Sequence, residues 1–259
     1  MTALIRGIRS ELSRWAWRSP VMYAFIPLAV LIPVILNAAI AIASSNDLLP
    51  TNGGMETDNA GYWVIIFTTF ILMLAGITST CGEFSNRTIG TYLAIQPRRW
   101  VLPASKLVTF GGLGFVVSLV TIAGILGLFP LIFPDVWGTV SIGSAAGLHL
   151  VIGVPLLTFF TCALGIGLSL LVHRSGVVVM MVLLWKFGIE IFFTFIPGDI
   201  GLWLQRWSPF KNGELGAGQV ATIDSPFGGA VGSMVYFAVL CAVFFVWGVV
   251  RLHRADIRD

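Results

Sequence analysis

Lys186 and Glu190 stand four positions apart in a stretch, residues 176–196, that is otherwise almost wholly apolar. On a helix that spacing puts both side chains on one face, about 6 Å apart along the axis. Ionisable groups at such depth are costly in lipid and face a bundle interior or a water-filled cavity. Two readings are open. The pair lines a translocation path or a dimer seam, or it neutralises itself and orients its helix, because losing one partner strands a buried charge.

The second chemically active stretch is residues 83–106, EFSNRTIGTYLAIQPRRWVLPASK. Glu83 opens it and Ser85, Asn86 and Arg87 follow. Gly90-Thr91 precedes an apolar patch of Tyr92, Leu93 and Ile95, and Pro97 ends the segment before Arg98-Arg99. A short amphipathic helix here carries a carboxylate at its start and cations at its end, as the helix dipole favours.

Other chemistries are less well supplied. Gly167-Leu168-Ser169-Leu170 matches the G-x-S-x of intramembrane serine proteases, but the nearest histidines, His173 and His253, lie at helix ends rather than at matching depth. The three lysines are followed by Leu107, Phe187 and Asn212, so no phosphate-binding loop ending in Gly-Lys-Ser/Thr exists and no nucleotide site is expected. Cys81, Cys162 and Cys241 fall in or beside apolar runs, without metal-ligand spacing, and neither a disulfide nor a metal site is expected. His149 reads as a capped polar contact.

The elements that must position these residues follow from composition. Hydrophobic residues make up 57% of the chain and charged residues 10%, too few charges to cover a soluble domain of 259 residues. Apolar runs of about 20 residues, enough to cross a bilayer as a helix, recur at 21–43, 61–81, 107–133, 145–172, 176–196 and 226–250. The expected fold is an all-α integral membrane protein, one transmembrane unit over residues 1–259, with six transmembrane helices. Residues 2–18 form an amphipathic arm and not a signal peptide: Leu4, Ile8, Leu12 and Trp15 make a stripe, with Arg6, Arg9, Arg14 and Arg18 largely off it. Pro27 and Pro33 bend the first span. The 44–60 loop holds Asp47, Glu56 and Asp58 but no Lys or Arg. Residues 198–225 are too polar to span. Ile200, Trp203, Leu204 and Trp207 predict a broken, interfacial or re-entrant segment with Trp203 and Trp207 at headgroup depth. Ser208-Pro209 and Ser225-Pro226 each read as a helix start, the second opening the sixth span.

Charge sets the orientation. Twelve of the 15 Lys and Arg fall in the arm, the 83–106 interval, the 173–175 turn and the tail Arg251, Arg254 and Arg258, whereas the opposite loops hold only Arg206 and Lys211. By the positive-inside bias both termini are cytoplasmic in a cell membrane.

The 83–106 stretch resembles the second inner segment of the permease subunits of type 2 ABC exporters. Glu83, Gly90, Thr91, Pro97, Arg98 or Arg99, and Lys106 match that segment in order and approximate spacing, and the arm, six spans and broken segment fit the same layout. The chain departs from the commonest form in Gln96-Pro97-Arg98-Arg99, where one basic residue is usual. The resemblance implies that 83–105 is a short cytoplasmic coupling helix, with Glu83, Arg87, Gly90, Thr91, Pro97, Arg98 and Arg99 engaging a separate cytoplasmic ATPase that holds ATP and magnesium, none of it bound by this chain. It also implies a second permease copy, membrane lipids as surroundings, no nucleic acid, no catalysis by this chain, and export of a hydrophobic or amphipathic drug, peptide or lipid-like molecule through a pathway lined by the second and fifth spans. Export of a lipid-linked glycan is the alternative within the class. An ATP-independent channel or proton-coupled carrier using Lys186 and Glu190 is the alternative outside it.

Overall fold

The computed structural model describes residues 2–15, 19–46, 54–96 and 98–254. Every regular element among them is helical. In chain order these are α1 (Thr2–Ser13), α2 (Val21–Ser45), α3 (Thr57–Ser85), α4 (Thr88–Ile95), α5 (Val101–Ile132), α6 (Ala145–Val172), α7 (Ser175–Phe195), α8 (Gly198–Arg206), α9 (Pro209–Gly216) and α10 (Ala230–Arg254). A single helical turn, Pro134–Trp137, lies between α5 and α6. Helices α2, α3, α5, α6, α7 and α10 are long and apolar enough to cross a membrane. This is the architecture of an all-helical, multi-pass membrane protein.

Helix α6 is the post of the bundle. It packs against α3, α5 and α10, and 72% of its most apolar window is buried. Its small residues allow close approach. A Cβ on Gly167 would lie 2.6 Å from the Cα of Phe245, and one on Gly248 would lie 2.5 Å from the Gly167 carbonyl oxygen, so the backbones of α6 and α10 touch. The Thr69 and Thr158 hydroxyls pair at 2.9 Å between α3 and α6. Helices α2 and α7 are peripheral, each with 22% of its window buried.

Pro33 lies inside α2 and has no N–H to give the Ala29 carbonyl four residues back. Thr68 of α3 donates its hydroxyl to that oxygen at 2.6 Å, and the buried Asn37 amide donates to the Pro33 carbonyl at 2.9 Å. The proline break is thereby used to tie α2 to α3. Four of the long helices carry a widened π-type turn, at Val21–Phe25, Val64–Thr68, Leu107–Gly111 and Leu184–Ile189; the last contains Lys186.

Several helix ends differ from the sequence expectation. Helix α3 runs on to Ser85, so Glu83 lies in its last turn rather than beyond it, and α5 opens at Val101, so Lys106 lies within it. Helix α10 begins at Ala230, not 226, because Gly228 and Gly229 adopt left-handed φ values of 76° and 104° that no helix continues. Ser225 places its hydroxyl 3.0 Å from Asn212 Oδ1 and 2.6 Å from Ser233 Oγ, pinning the entry to α10 to α9.

Candidate functional site: two ionic clusters at opposite ends of the bundle

At the end of the bundle that holds α1 and α4, four charged side chains from three helices and the turn after α1 converge. Lys106 of α5 is wholly buried, and Glu11 of α1 and Glu83 of α3 are 2% and 3% exposed. Lys106 Nζ lies 3.1 Å from Glu11 Oε1 and 3.4 Å from Glu83 Oε1, and it donates to the Ser79 hydroxyl at 2.8 Å. Arg14 pairs closely with Glu83 and lies 3.8 Å from Glu11. Two acids and two bases cancel, and the donors of Lys106 are saturated, which is the condition under which buried charge is tolerated. Thr88, the first residue of α4, donates its hydroxyl to Glu83 Oε2 at 2.5 Å. The cluster therefore clasps α1, the end of α3, the start of α4 and the start of α5. Gly7 lets α1 lie this close: a Cβ there would sit 3.0 Å from Ser105 Cβ. Burial among these groups pushes the Tyr92 phenol up, against the opposing hydrogen bond with Ser105.

The expected coupling residues divide. Glu83 is not at the surface but inside this clasp, because Arg14, Thr88 and Lys106 all reach it. Arg87 is exposed in a left-handed turn (φ 53°), Thr91 and Arg98 are exposed, and Gly90 is half-buried. Arg99 donates to the carbonyls of Leu252 (3.0 Å) and His253 (3.1 Å) at the end of α10. Pro97, Arg18, Arg258 and Asp47 lie outside the described residues. The α1 face against the bundle is Gly7–Glu11, both buried; Ile5 and Leu12 are exposed. Between α1 and α4 runs a groove of about 510 Å³, lined by Arg6, Ser10, Arg14, Thr91, Tyr92 and Ile95.

The opposite end holds the second cluster. Lys186 does not pair with Glu190 as their spacing implied. It pairs with Glu214 of α9. Glu190 instead accepts the backbone N–H groups of Phe210 (2.9 Å) and Lys211 (3.1 Å) and the Trp185 indole N–H (3.2 Å). A carboxylate from α7 thus satisfies the orphan donors at the start of α9. Ser208, the expected cap, gives its hydroxyl to the Leu204 carbonyl. At the other end of α9, His149 donates Nε2–H to the Gly216 carbonyl at 3.1 Å. Helix α9 is therefore held at both ends by side chains of long helices. Burial lowers the Lys211 ammonium below the usual lysine range, helped by Lys186 and opposed by Glu190 and Glu214. Trp203 and Trp207 are both exposed; Trp207 stacks edge-on with Phe227 at 5.4 Å and accepts the Tyr236 hydroxyl at its carbonyl.

Two cavities flank this cluster. One, of about 330 Å³, is lined by Tyr62, Lys186, Glu190, Gln205, Lys211 and Glu214 among others. The other, of about 320 Å³, is apolar, with Leu164, Met181, Trp185, Phe210, Leu240 and Phe244 in its wall. Ser169 is wholly buried in α6 and donates its hydroxyl to the Gly165 carbonyl at 2.7 Å, and His173 stacks on Phe84 at 3.9 Å. These residues are not arranged as a nucleophile and its base. Among the described residues no group of three or more His, Cys, Asp or Glu could hold a metal ion.

Sequence reasoning missed Glu11, Ser79 and Glu214 as site residues and read Arg14 only as a surface charge. Glu11 carried a signal, as the single acid in a basic arm. Glu214 carried none that tied it to Lys186, 28 positions away. No protein-family model matches the chain, and neither curated proteins nor solved structures show a significant likeness to it.

Proposed function

We propose that this chain is the membrane-spanning half of an ATP-driven exporter, working as a dimer with a separate cytoplasmic ATPase. One observation carries the reading. Helix α4, outside the long apolar helices, leaves Ile95 80% exposed beside exposed Thr91, Arg98 and Trp100, and the groove shared with α1 runs alongside. Such an apolar and basic surface calls for a partner. In this reading α4 is the coupling helix and α1 is an interfacial arm on the inner leaflet. Both termini are cytoplasmic in a cell membrane, and the α8–α9 segment is re-entrant from the outer face. ATP and magnesium belong to the partner. A push on α4 passes through Thr88 and Glu83 into α3, and through Lys106 into α5. The apolar groove between α6, α7 and α10 favours a hydrophobic or amphipathic cargo.

The test is co-purification of tagged protein from native membranes in mild detergent. Wild type brings down an ATP-binding subunit at about one per chain. Ile95→Glu with Arg98→Glu, both on the exposed surface, reduces its recovery at least about tenfold, the effect of removing an interface hot spot. Recovery of no nucleotide-binding partner, even after crosslinking, overturns the reading in favour of an ATP-independent carrier.

A further inference from the structure

We propose that the 330 Å³ cavity between α3, α7 and the α8–α9 segment is a binding site for the zwitterionic head of an amphiphile, its anion on Lys186 and Lys211 and its ammonium on Glu214. This deepens the exporter reading by naming the head chemistry of a molecule at the membrane's outer half.

The argument is a hydrogen-bond inventory. An ammonium has three N–H groups. Among the described residues Lys186 Nζ uses one, on Glu214, and Lys211 Nζ uses one, on Gln205 Oε1 at 3.2 Å. Each lysine therefore retains two donors. Glu190 accepts no hydrogen bond from either ammonium, its two oxygens being taken by the Trp185, Phe210 and Lys211 N–H groups. Glu214 gives Oε1 to Lys186 and keeps Oε2. The cavity wall thus offers four unused cationic donors against one open carboxylate oxygen, with Lys186 and Glu190 buried and Lys211 and Glu214 half-buried. Charges so placed demand a polar occupant. An anion satisfies the lysines and an adjacent ammonium satisfies Glu214.

The shape agrees. A cavity of this size is at the small end of ligand sites, about 300–1,000 Å³, and takes a head rather than a whole lipid. Phe187 and Ile191 also line it and are 39% and 46% exposed on the outer side of α7. An acyl or other apolar tail leaving the cavity runs along that side. The arm-end cluster offers no unused lysine donors, since Lys106 is surrounded by acceptors.

The experiment is native mass spectrometry of delipidated protein, without the ATPase, titrated with phosphatidylethanolamine, phosphatidylglycerol and diacylglycerol, with soluble phosphoethanolamine as competitor. Wild type is expected to retain phosphatidylethanolamine about tenfold over diacylglycerol and about threefold over phosphatidylglycerol, the scale of charge-assisted hydrogen bonds. Lys211→Gln keeps the backbone N–H that Glu190 needs and lowers binding of both phospholipids several-fold. Glu214→Gln removes the preference for the ammonium-bearing head. Displacement of bound phosphatidylethanolamine by excess soluble phosphoethanolamine supports recognition of the head; failure to displace it at any concentration counts against a head site. Binding of all three lipids within twofold, or a preference that survives both variants, overturns the proposal and leaves water as the occupant. Because no ATPase is present, that result is separate from failure of the exporter reading, which rests on α4.

Discussion

The two ionic clusters have the same inventory, two acids and two bases, and opposite construction. At the arm end Lys106 meets Glu11, Glu83 and Ser79 at once, and Thr88 takes the remaining side of Glu83. At the far end Lys186 meets only Glu214, while Glu190 is spent on the backbone of α9. A closed cluster joins helices. An open one joins helices and keeps capacity for something else. Net charge does not separate the two cases, whereas the count of unfilled donors does, and the Lys186–Glu214 pair is the more exposed of the two lysine pairings.

The comparison breaks most easily at Lys106. Lys106→Met leaves Glu11 and Glu83 facing each other with only Arg14 between them, and about 3–5 kcal/mol of stability should be lost. Thermal unfolding in detergent reads this, and pairing the change with Glu83→Gln should recover part of the loss. If Lys106→Met melts like wild type, the cluster is not the clasp described. Glu190→Gln tests the far end. One oxygen survives to accept from α9, so the expected cost is about 1–3 kcal/mol, with faster backbone exchange confined to the start of α9. A loss as large as that of Lys106→Met would mean that the far cluster is also a clasp.

The smallest effect sharpens the arm end. Burial, with Arg251 adding to it, holds His173 below its ordinary value of 6.5. The neutral ring is thus favoured by the fold. Its contribution is fully present above the ordinary value and is lost as pH falls through the folded one. Between pH 8 and pH 5 the melting temperature of wild type should fall by about 1–2 °C more than that of His173→Asn, asparagine being tolerant of the left-handed backbone there. An identical pH profile for the two would place the acid sensitivity elsewhere.

Six spans were legible because about 20 consecutive apolar residues admit few other structures. The ends of those spans were not, because Glu83 and Lys106 look like boundary residues until their partners are known. Lys106 and Glu11 are 95 positions apart, and a periodicity within one helix does not see that distance. The Lys186–Glu190 spacing offered a partner within α7 as one of two readings, but the carboxylate that pairs with Lys186 arrives on a different helix. Ser208 shows the same limit: its local pattern marks the start of α9, while a remote side chain does the capping.

The contact between Gly167 and the backbone of α10 has a consequence for biosynthesis. Helix α10 is made after α6, so until it is inserted the glycine surface of α6 faces lipid as an unfilled groove, and α9 lacks the wall it rests against. A nascent chain paused before α10 presents that groove to whatever surveys unfinished proteins in the bilayer. Assembly is therefore decided late, and a side chain placed at residue 167 or 248 should yield protein that is translated and inserted but does not accumulate.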